Sequence, residues 1–361
     1  MTQLEVVTES AYAQIAEFLA GFDPGDHPSR TSAWWITRMR HWWDDNPALS
    51  AGLHRGFVIV HAGRVVGFLG IVPGLVDTPE GTRSTASTST WRVLPEYRKF
   101  SLELLSRMLA LKAYVHFNTT PIEMVIPIMR GFKFVTFPGS HRHHESLFIL
   151  DAGAVAAAAV RREVPALGGM AGLIGKTVGQ ATRVGLAVSG RIRQPKARFP
   201  GCTITRAGTE VDTLWQKSSL RGFLTGVRTS AVVNWLAFGN PNMPKKLVVC
   251  YDNSQLVGVA VLGRRDNRDV EVFECIDMFM REESAETVES LIAAAGEAVR
   301  ASGGACVAFP HFTPFLARCY RELGFRERGV DPEREWMRLE GGRSPENIPS
   351  YLTHMHGDRW L

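Results

Sequence analysis

The residues most suited to chemistry are two neighbouring cations, Arg98 and Lys99. A β-prone run of Ser and Thr over 83–90 predicts a strand that ends at Pro95, and leucines near helical spacing predict a helix that begins at about residues 100–101. A helix that starts where a strand ends presents free backbone N–H groups and the positive end of its dipole, a geometry that binds phosphate. The alternative is an ordinary strand-to-helix turn with solvated basic residues, and the residue types alone leave both open.

The same segment resembles part of a known superfamily. The run Val93-Leu94-Pro95-Glu96-Tyr97-Arg98, followed by a leucine-rich helix, is similar to the fourth strand and following helix of GNAT-type acyltransferases. In that superfamily the loop holds the pyrophosphate of acyl-coenzyme A with a run of the form Arg/Gln-x-x-Gly-x-Gly/Ala. Arg98 matches, whereas Ser101 and Glu103 stand at the two glycine positions. We expect Ser101 to cap the helix and Glu103 to lie in its first turn, near the diphosphate.

The resemblance implies acetyl-CoA or another acyl-CoA as co-substrate, and no metal. The thioester would lie between splayed fourth and fifth strands, and its acyl group would pass to an amine or hydroxyl. The residues expected to hold the cofactor are Val93, Leu94, Arg98, Lys99, Phe100, Ser101 and Asn118.

Three residues are candidates for proton transfer. Tyr320 matches the superfamily pattern Tyr-x-x-x-Gly-Phe, whose tyrosine often protonates the departing thiolate, whereas Pro127 stands at the equivalent place in the first half. His116 lies at the end of the predicted fifth strand and Glu123 in the helix that follows. Tyr320 could equally be a packed aromatic side chain, and the other two could equally be caps or hydrogen-bond partners.

The chain repeats itself, which predicts two copies of one fold. Arg64-Val65-Val66-Gly67 aligns with residues 255–258 at an offset of 191, and Gly131-Phe132 aligns with Gly324-Phe325 at 193. Asn46-Pro47 likewise aligns with Asn240-Pro241. We expect an α/β protein with mixed sheets, made of a GNAT-like domain over 1–150, a helical linker over 151–200 and a second GNAT-like domain over 201–361. In the first domain, 133–150 should form its last two strands.

The halves differ in their remnants of the superfamily motifs. The first keeps Pro-Glu-Tyr-Arg, whereas residues 280–286 of the second contain three glutamates, which argue against a diphosphate there. The first half therefore resembles the cofactor binder, and the second retains the candidate acid.

The predicted linker has a composition of its own. It is rich in Ala, Gly and Val and contains eight Lys and Arg against Asp151 and Glu163. Its basic, amphipathic part over 170–198 could lie on an anionic membrane surface or pack as a connecting helix. Because its glycines weaken a free-standing helix, we favour packing.

Two histidine-containing segments are further candidates. His141, His143 and His144 could suggest a metal site, but two imidazoles on one strand face need further ligands, so we expect a hairpin loop there instead.

The tail over 351–361 resembles the ending of GNAT-like proteins associated with bacterial exopolysaccharide synthesis, which implies a saccharide acceptor. Its His and Asp could act as a base, or the tail could simply be docked on the domain, which we favour.

Composition narrows the functional class. A net charge of +5 is compatible with an anionic cofactor and too small to indicate nucleic acid, and 45% hydrophobic with 21% charged residues is typical of a soluble protein. The five cysteines predict reduced thiols, and the absence of a signal peptide or a long apolar run predicts a cytoplasmic protein. The alternatives to an acyltransferase are a non-catalytic binding protein of the same fold, and a Fem-like transferase that uses aminoacyl-tRNA.

Overall fold

The computed structural model describes residues 1–22, 29–50, 53–163, 177, 194–265, 270–346 and 348–361. The chain divides into two compact units. The first unit comprises Met1–Pro138, Arg221–Met243 and Pro332–Leu361, and the second comprises Gly139–Leu220 and Pro244–Asp331. Each unit is therefore assembled from separate stretches of chain.

Sixteen strands are present in the described part of the chain. They are β1 Thr2–Val6, β2 Gly56–His61, β3 Arg64–Asp77, β4 Arg83–Val93, β5 Val115–Asn118, β6 Val135–Thr136, β7 His144–Ile149, β8 Gly201–Ile204, β9 Leu224–Gly226, β10 Lys245–Asp252, β11 Gln255–Arg265, β12 Val272–Met280, β13 Cys306–Pro310, β14 Arg326–Gly329, β15 Trp336–Leu339 and β16 Ser350–Tyr351.

The α-helices and short 3₁₀ helices connect these strands. The α-helices are α1 Tyr12–Phe22, α2 Ser32–Trp43, α3 Ser101–Leu109, α4 Ile126–Gly131, α5 Ala152–Glu163, α6 Thr209–Gln216, α7 Ser230–Phe238, α8 Ala285–Arg300 and α9 Pro314–Glu322. The 3₁₀ helices are Glu9–Ala11, Pro95–Phe100, Glu123–Val125, Ser140–His143, Pro332–Arg334 and Glu340–Gly342. Among the described residues, no helix combines the length and hydropathy that a membrane span requires.

The first unit is built on a mixed sheet. Its strand order is β1-β2-β3-β4-β5-β15-β6, and β9 pairs with both β3 and β16. The central pair, β4 and β5, is parallel, whereas the other neighbours in that order are antiparallel. Leu104 and Met108 of α3 pack on Leu69, Ile71 and Ala86 of the sheet. This apolar layer fixes α3 against the central strands.

The second unit contains a sheet of the order β14-β7-β13-β12-β11-β10-β8. Its parallel pair is β12 and β13, and α8 lies against the sheet with its leucine and valine face buried. The mixed α/β architecture with two sheets is the one that the sequence predicts.

Two of the repeat landmarks, at Gly67 and at Asn46, occupy equivalent places in the two units. Gly67 pairs with Val93 at the end of β4, and Gly258 pairs with Met280 at the end of β12. The turns after α2 and α7 also match, because the Asn46 and Asn240 side-chain oxygens each accept a hydrogen bond from the backbone N–H two residues on.

The ends of the two halves do not follow the order of the chain. The segment 133–150 does not form a hairpin, because β6 pairs with β15 and β7 pairs with β13 and β14. The prediction of a strand hairpin there is wrong. A strand's own sequence sets which of its faces is apolar, but not which edge it joins, and here that edge is in another sheet.

The predicted linker lies mostly outside the described residues. Within it, α5 covers residues 152–163, and Val155 of that helix packs on the core of the second unit. The basic face over 170–198 falls outside the described part, apart from residues 177 and 194–198.

Candidate active site

The predicted phosphate-binding segment forms a continuous helical stretch rather than an open loop. A 3₁₀ helix covers Pro95–Phe100, and α3 begins at Ser101, the start that the leucine spacing predicts. The prediction that Ser101 caps this helix is wrong, because its backbone is already helical and its N–H donates to the carbonyl of Arg98. Pro95 presets the first helical φ, and Ser101 and Glu103 lack the freedom of glycine, so the segment coils early.

The cations of this segment face solvent. Arg98 and Lys99 are exposed, and the Lys99 ammonium lies 5.1 Å from the centroid of the Phe100 ring. Among the described residues Arg98 makes no ion pair, whereas Glu103 lies 3.7 Å from Arg107 one turn further on. Residues 95–107 contain three cations (Arg98, Lys99 and Arg107) and two acids (Glu96 and Glu103), so the net charge of this stretch is +1.

The apolar members of the predicted cofactor set belong to the core. Val93 is buried in the layer between the sheet and α3, and Leu94 and Phe100 pack on its edge. The Leu94 N–H donates to the Val66 carbonyl at 2.9 Å, which ties the end of β4 to β3.

The central strands β4 and β5 separate beyond a short paired stretch. Thr85, Ala86 and Ser87 pair with 115–117, and beyond Ser87 β4 has no register partner in β5. At the opening β4 has a bulge, in which Thr90 and Trp91 oppose the single residue Leu69. Thr90 adopts a φ of 50°, which is uncommon for a residue with a branched Cβ. Bulges of this kind re-aim the strand next to binding sites.

The C-terminal segment, residues 351–361, enters this opening. The Asp358 carboxylate accepts a hydrogen bond from the Ser89 hydroxyl at 2.6 Å and another from the Thr120 hydroxyl at 3.0 Å. Because Ser89 lies on β4 and Thr120 follows β5, one carboxylate connects the two separated strands. The tail is therefore docked, but on β4 and the turn after β5, which belong to the predicted first domain and not to the second.

A buried arginine supports the same segment. Arg38 of α2 donates to the backbone carbonyl of Asp358 at 2.9 Å, and its guanidinium lies 5.0 Å from the ring centroids of both Trp34 and Trp42. Burial lowers the pKa of Arg38 to about 10, against the opposing effect of the nearby Asp358 carboxylate. Two aromatic faces and a carbonyl replace the water that the cation loses.

His116 and Asn118 of β5 are both buried. The His116 Nε2 lies 3.1 Å from the Met108 carbonyl, so it donates there, and burial lowers the pKa of His116 to about 4. The Asn118 side-chain oxygen accepts from the Thr120 N–H at 3.3 Å and shapes the turn after β5. Glu123 begins an exposed 3₁₀ helix. The structure thus places His116 and Asn118 beside the strand opening, and Glu123 on the surface.

Tyr320 lies in the second unit, on α9. It is fully buried, with its ring centroid 5.4 Å from that of Phe309 and 5.7 Å from that of His311. Its counterpart in the first unit is Met129 rather than Pro127. In the second unit Gly324 follows the helix with a positive φ, and the N–H of the next residue donates to the Tyr320 carbonyl. In the first unit Lys133 has the positive φ, and the N–H of the next residue donates to the Met129 carbonyl. Neither a methionine nor a proline side chain can donate a proton, so the first unit has no counterpart of the tyrosine hydroxyl.

The glutamate-rich loop of the second unit corresponds to the basic turn of the first. The Arg281 N–H donates to the Val257 carbonyl, as that of Leu94 donates to Val66. Burial raises the pKa of Glu283 in this loop, although Arg318 opposes the shift. The three carboxylates of this loop disfavour an anionic ligand here.

The histidine run forms a 3₁₀ helix, Ser140–His143, instead of a hairpin loop. His141 Nε2 lies 3.1 Å from the Phe312 carbonyl, and His144 lies 3.8 Å from Glu327. Across the described ranges, no group of three His, Cys, Asp or Glu side chains is arranged to hold a metal ion.

The first unit contains a small cleft on the face of β4 opposite α3. Thr85 and Ser87 of β4, Phe117 of β5 and residues 355–357 of the C-terminal segment contribute to its lining. The sequence analysis missed Thr85, Ser87 and Arg38 as site residues, whereas it named the Asp of the tail, Asp358, as a candidate base. The available signal was the run of Ser and Thr over 83–90, which has no large apolar residue although it lies in a central strand.

Comparisons with known proteins bear on the fold. The sequence matches no protein-family model and no curated protein. A solved GCN5-related N-acetyltransferase from Anabaena variabilis ATCC 29413 superposes with a TM-score of 0.57 at 14% identity, over 94% of this chain and 73% of that chain. This chain has a GNAT-type fold.

Two other solved structures are comparably similar to this chain. A conserved protein of unknown function from Enterococcus faecalis V583, described as a probable N-acyltransferase, has a TM-score of 0.55 at 9% identity, over 94% of this chain and 72% of that chain. The N-myristoyltransferase of Saccharomyces cerevisiae, solved with bound myristoyl-CoA, has a TM-score of 0.52 at 8% identity, over 99% of this chain and 84% of that chain. Identities this low carry the fold alone.

Proposed function

We propose that the protein is an acyl-CoA-dependent acyltransferase, with acetyl-CoA or another acyl-CoA bound at the first unit. The observation that carries the proposal is the opening between β4 and β5, bordered by the bulge at Thr90 and followed by the basic turn of Arg98 and Lys99. A GNAT-type fold supports it, because proteins described as N-acetyltransferases share that fold. An acceptor amine or hydroxyl, such as that of a cell-envelope or exopolysaccharide sugar, would attack the thioester in the opening.

The chain's own groups would serve the cofactor in distinct ways. Arg98 and Lys99 supply positive charge for the diphosphate, and Val93, Leu94 and Phe100 form the apolar floor of the segment. Asn118 lies at the end of β5, where the pantetheine would pass. We retain Tyr320, His116 and Glu123 as candidates for proton transfer, and Tyr320→Phe, His116→Gln and Glu123→Gln test them one at a time.

The cofactor placement is tested by calorimetry with acetyl-CoA, free coenzyme A and a longer acyl-CoA. We expect one site per chain, and about tenfold weaker binding for each of Arg98→Ala and Lys99→Ala, because each removes a charge-assisted contact. Lys112→Ala is the matched control, since Lys112 is an exposed cation beyond the end of α3. Unchanged affinity in the first two variants would refute the placement.

The second candidate is a non-catalytic binding protein with the same fold. It is favoured by the backbone of the turn, where the Ser101 N–H is already bonded to Arg98 and is not available to a phosphate. Turnover of any acyl-CoA in the presence of an acceptor excludes this candidate. Absence of acyl-CoA binding at millimolar concentration supports it. A Fem-like transferase would instead show tRNA binding that weakens steeply with salt.

A further inference from the structure

The C-terminal segment fills the opening between β4 and β5. The Asp358 carboxylate bridges the hydroxyls of Ser89 and Thr120, one on each side of the opening. The ring centroid of His356 lies 5.3 Å from that of Phe117 on β5. Asp358 and His356 are each only 6% exposed. The protein's own chain therefore takes the place that we assign to the thioester.

The space that remains beside the segment is too small for a substrate. The cleft on this face of β4, lined in part by residues 355–357 and Phe117, has a volume of about 40 Å³. Small-molecule sites in proteins begin at roughly 300 Å³. An acyl group or an acceptor of ordinary size therefore enters from this face only after the segment has moved.

The segment makes its closest approach to the turn after β5 at Gly357. The φ of Gly357 is 120°, and a Cβ there would lie 1.9 Å from Thr119 Oγ1, so that only glycine permits this contact. Thr119 is 7% exposed, and its hydroxyl has no hydrogen-bond partner among the described residues. A buried hydroxyl without a partner is unfavourable, so docking of the segment has a cost that its departure removes.

The segment is attached by side chains and not by strand pairing. Residues 352–361 belong to no strand or helix of the described chain, and the backbone N–H groups of His356 and Leu361 donate within the segment, to the carbonyls of Thr353 and Asp358. β16, immediately before these residues, is held separately by its pairing with β9. The segment can therefore leave the opening without breaking a strand pair.

We propose that the C-terminal segment is an autoinhibitory closure, which occupies the opening in the free protein and is displaced when acyl-CoA binds. The inference rests on the proposed acyltransferase function, because it concerns the regulation of that same site. Asp358 is the anchor of the closure. Its release returns the hydroxyls of Ser89, Thr119 and Thr120 to the opening.

Two variants weaken the closure in different ways. Asp358→Ala removes the anchor, whereas Gly357→Ala forces a Cβ against Thr119 and leaves the charge unchanged. Because the apparent dissociation constant is the intrinsic one divided by the open fraction, we expect calorimetry to show about fivefold to twentyfold tighter binding of acetyl-CoA in each variant. Gly81→Ala is the matched control, since Gly81 also has a positive φ but a Cβ there would meet no atom within 4 Å. Its affinity should equal that of the wild type.

Hydrogen exchange of the full chain, followed by mass spectrometry, reports the movement itself. In the free wild type we expect the peptide over 352–361 to exchange faster than the peptides of β3, because the segment opens without global unfolding. Acetyl-CoA should raise its deuterium uptake further. Exchange no faster than that of β3, or protection of the segment by acetyl-CoA, would overturn the inference.

The inference and the proposed function fail separately. If acetyl-CoA binds to the wild type and both variants bind it no more tightly, or Gly81→Ala gains as much as they do, the function stands and the closure is wrong. If neither the wild type nor the variants bind acetyl-CoA at millimolar concentration, the acyltransferase proposal is wrong. Faster exchange of the segment in both variants would then still support a displaceable closure, and unchanged exchange would overturn it.

Discussion

Asp358 Oδ2 accepts a 2.6 Å hydrogen bond from Ser89 Oγ, although the two residues are 269 positions apart in the sequence. The bond joins the C-terminal segment to β4 at the point where that strand leaves β5. We expect Asp358→Ala to lower the free energy of unfolding by about 1–3 kcal/mol, because it leaves the buried hydroxyl of Ser89 without its acceptor. Urea unfolding measures this, with exposed Glu346→Ala as control. A loss equal to that of the control would mean that the segment is not anchored by this carboxylate.

Arg38 should resist replacement by lysine. Its planar guanidinium lies over both Trp34 and Trp42 while it donates to the Asp358 carbonyl, and a lysine ammonium cannot make all three contacts. We expect Arg38→Lys to destabilise the protein by about 1–3 kcal/mol, and Arg40→Lys, at an exposed position of the same helix, to change stability by less than about 0.5 kcal/mol. Comparable midpoints in urea for both variants would contradict the cation–π assignment.

Glu145 should make the second unit sensitive to acid. Burial opposes its ionisation, but the hydrogen bond and charge of Arg265, with Arg328, lower the pKa of Glu145 below its ordinary 4.5. Since the folded pKa is the lower one, the stabilisation is complete above about pH 5 and is lost as the pH falls towards the folded value. We expect Glu145→Gln to cost about 3 kcal/mol at pH 7 and to flatten the stability profile below pH 5. A variant profile parallel to the wild-type profile would show that another group causes the acid sensitivity.

His116 should contribute a second pH dependence of stability, mostly at higher pH than that of Glu145. Burial lowers its pKa to about 4 from 6.5, so the unfolded chain binds a proton there that the folded chain does not. Stability should therefore rise with pH between about 4 and 6.5, by at most about 3 kcal/mol from this group. His116→Gln should reduce that rise while keeping a donor for the Met108 carbonyl. Chemical unfolding at several pH values measures the slope, and an unchanged slope would count against a neutral buried imidazole.

Glu103 offers a second test of the cofactor position, in which removing a charge should raise the acetyl-CoA affinity instead of lowering it as in Arg98→Ala and Lys99→Ala. It lies in the first turn of α3, where a diphosphate would meet a like charge. We expect Glu103→Gln to strengthen acetyl-CoA binding by about twofold to fivefold, an effect that high salt should reduce. Glu96→Gln, seven residues earlier on the 3₁₀ helix, provides a comparison for the general effect of removing an acid. Weaker binding in Glu103→Gln would place the diphosphate elsewhere.

The sequence by itself determined the elements and their repetition. Leucine spacing was sufficient for the start of α3 at Ser101, because an amphipathic helix records its buried face in its own residues. The paired landmarks Gly67 and Gly258 could likewise be recognised from the sequence, since each occupies the same place in the strand pairing of its sheet. These features depend on neighbours in the chain.

Tertiary structure alone decided how distant segments combine. No local pattern indicates that β7 joins the second sheet, that β15 lies between β5 and β6, or that Asp358 bonds to Ser89. Backbone pairing is chemically the same at every strand edge, and a carboxylate accepts from any hydroxyl, so these choices depend on how whole surfaces pack. The capping prediction for Ser101 was wrong for a related reason: the chain had already begun to coil at Pro95.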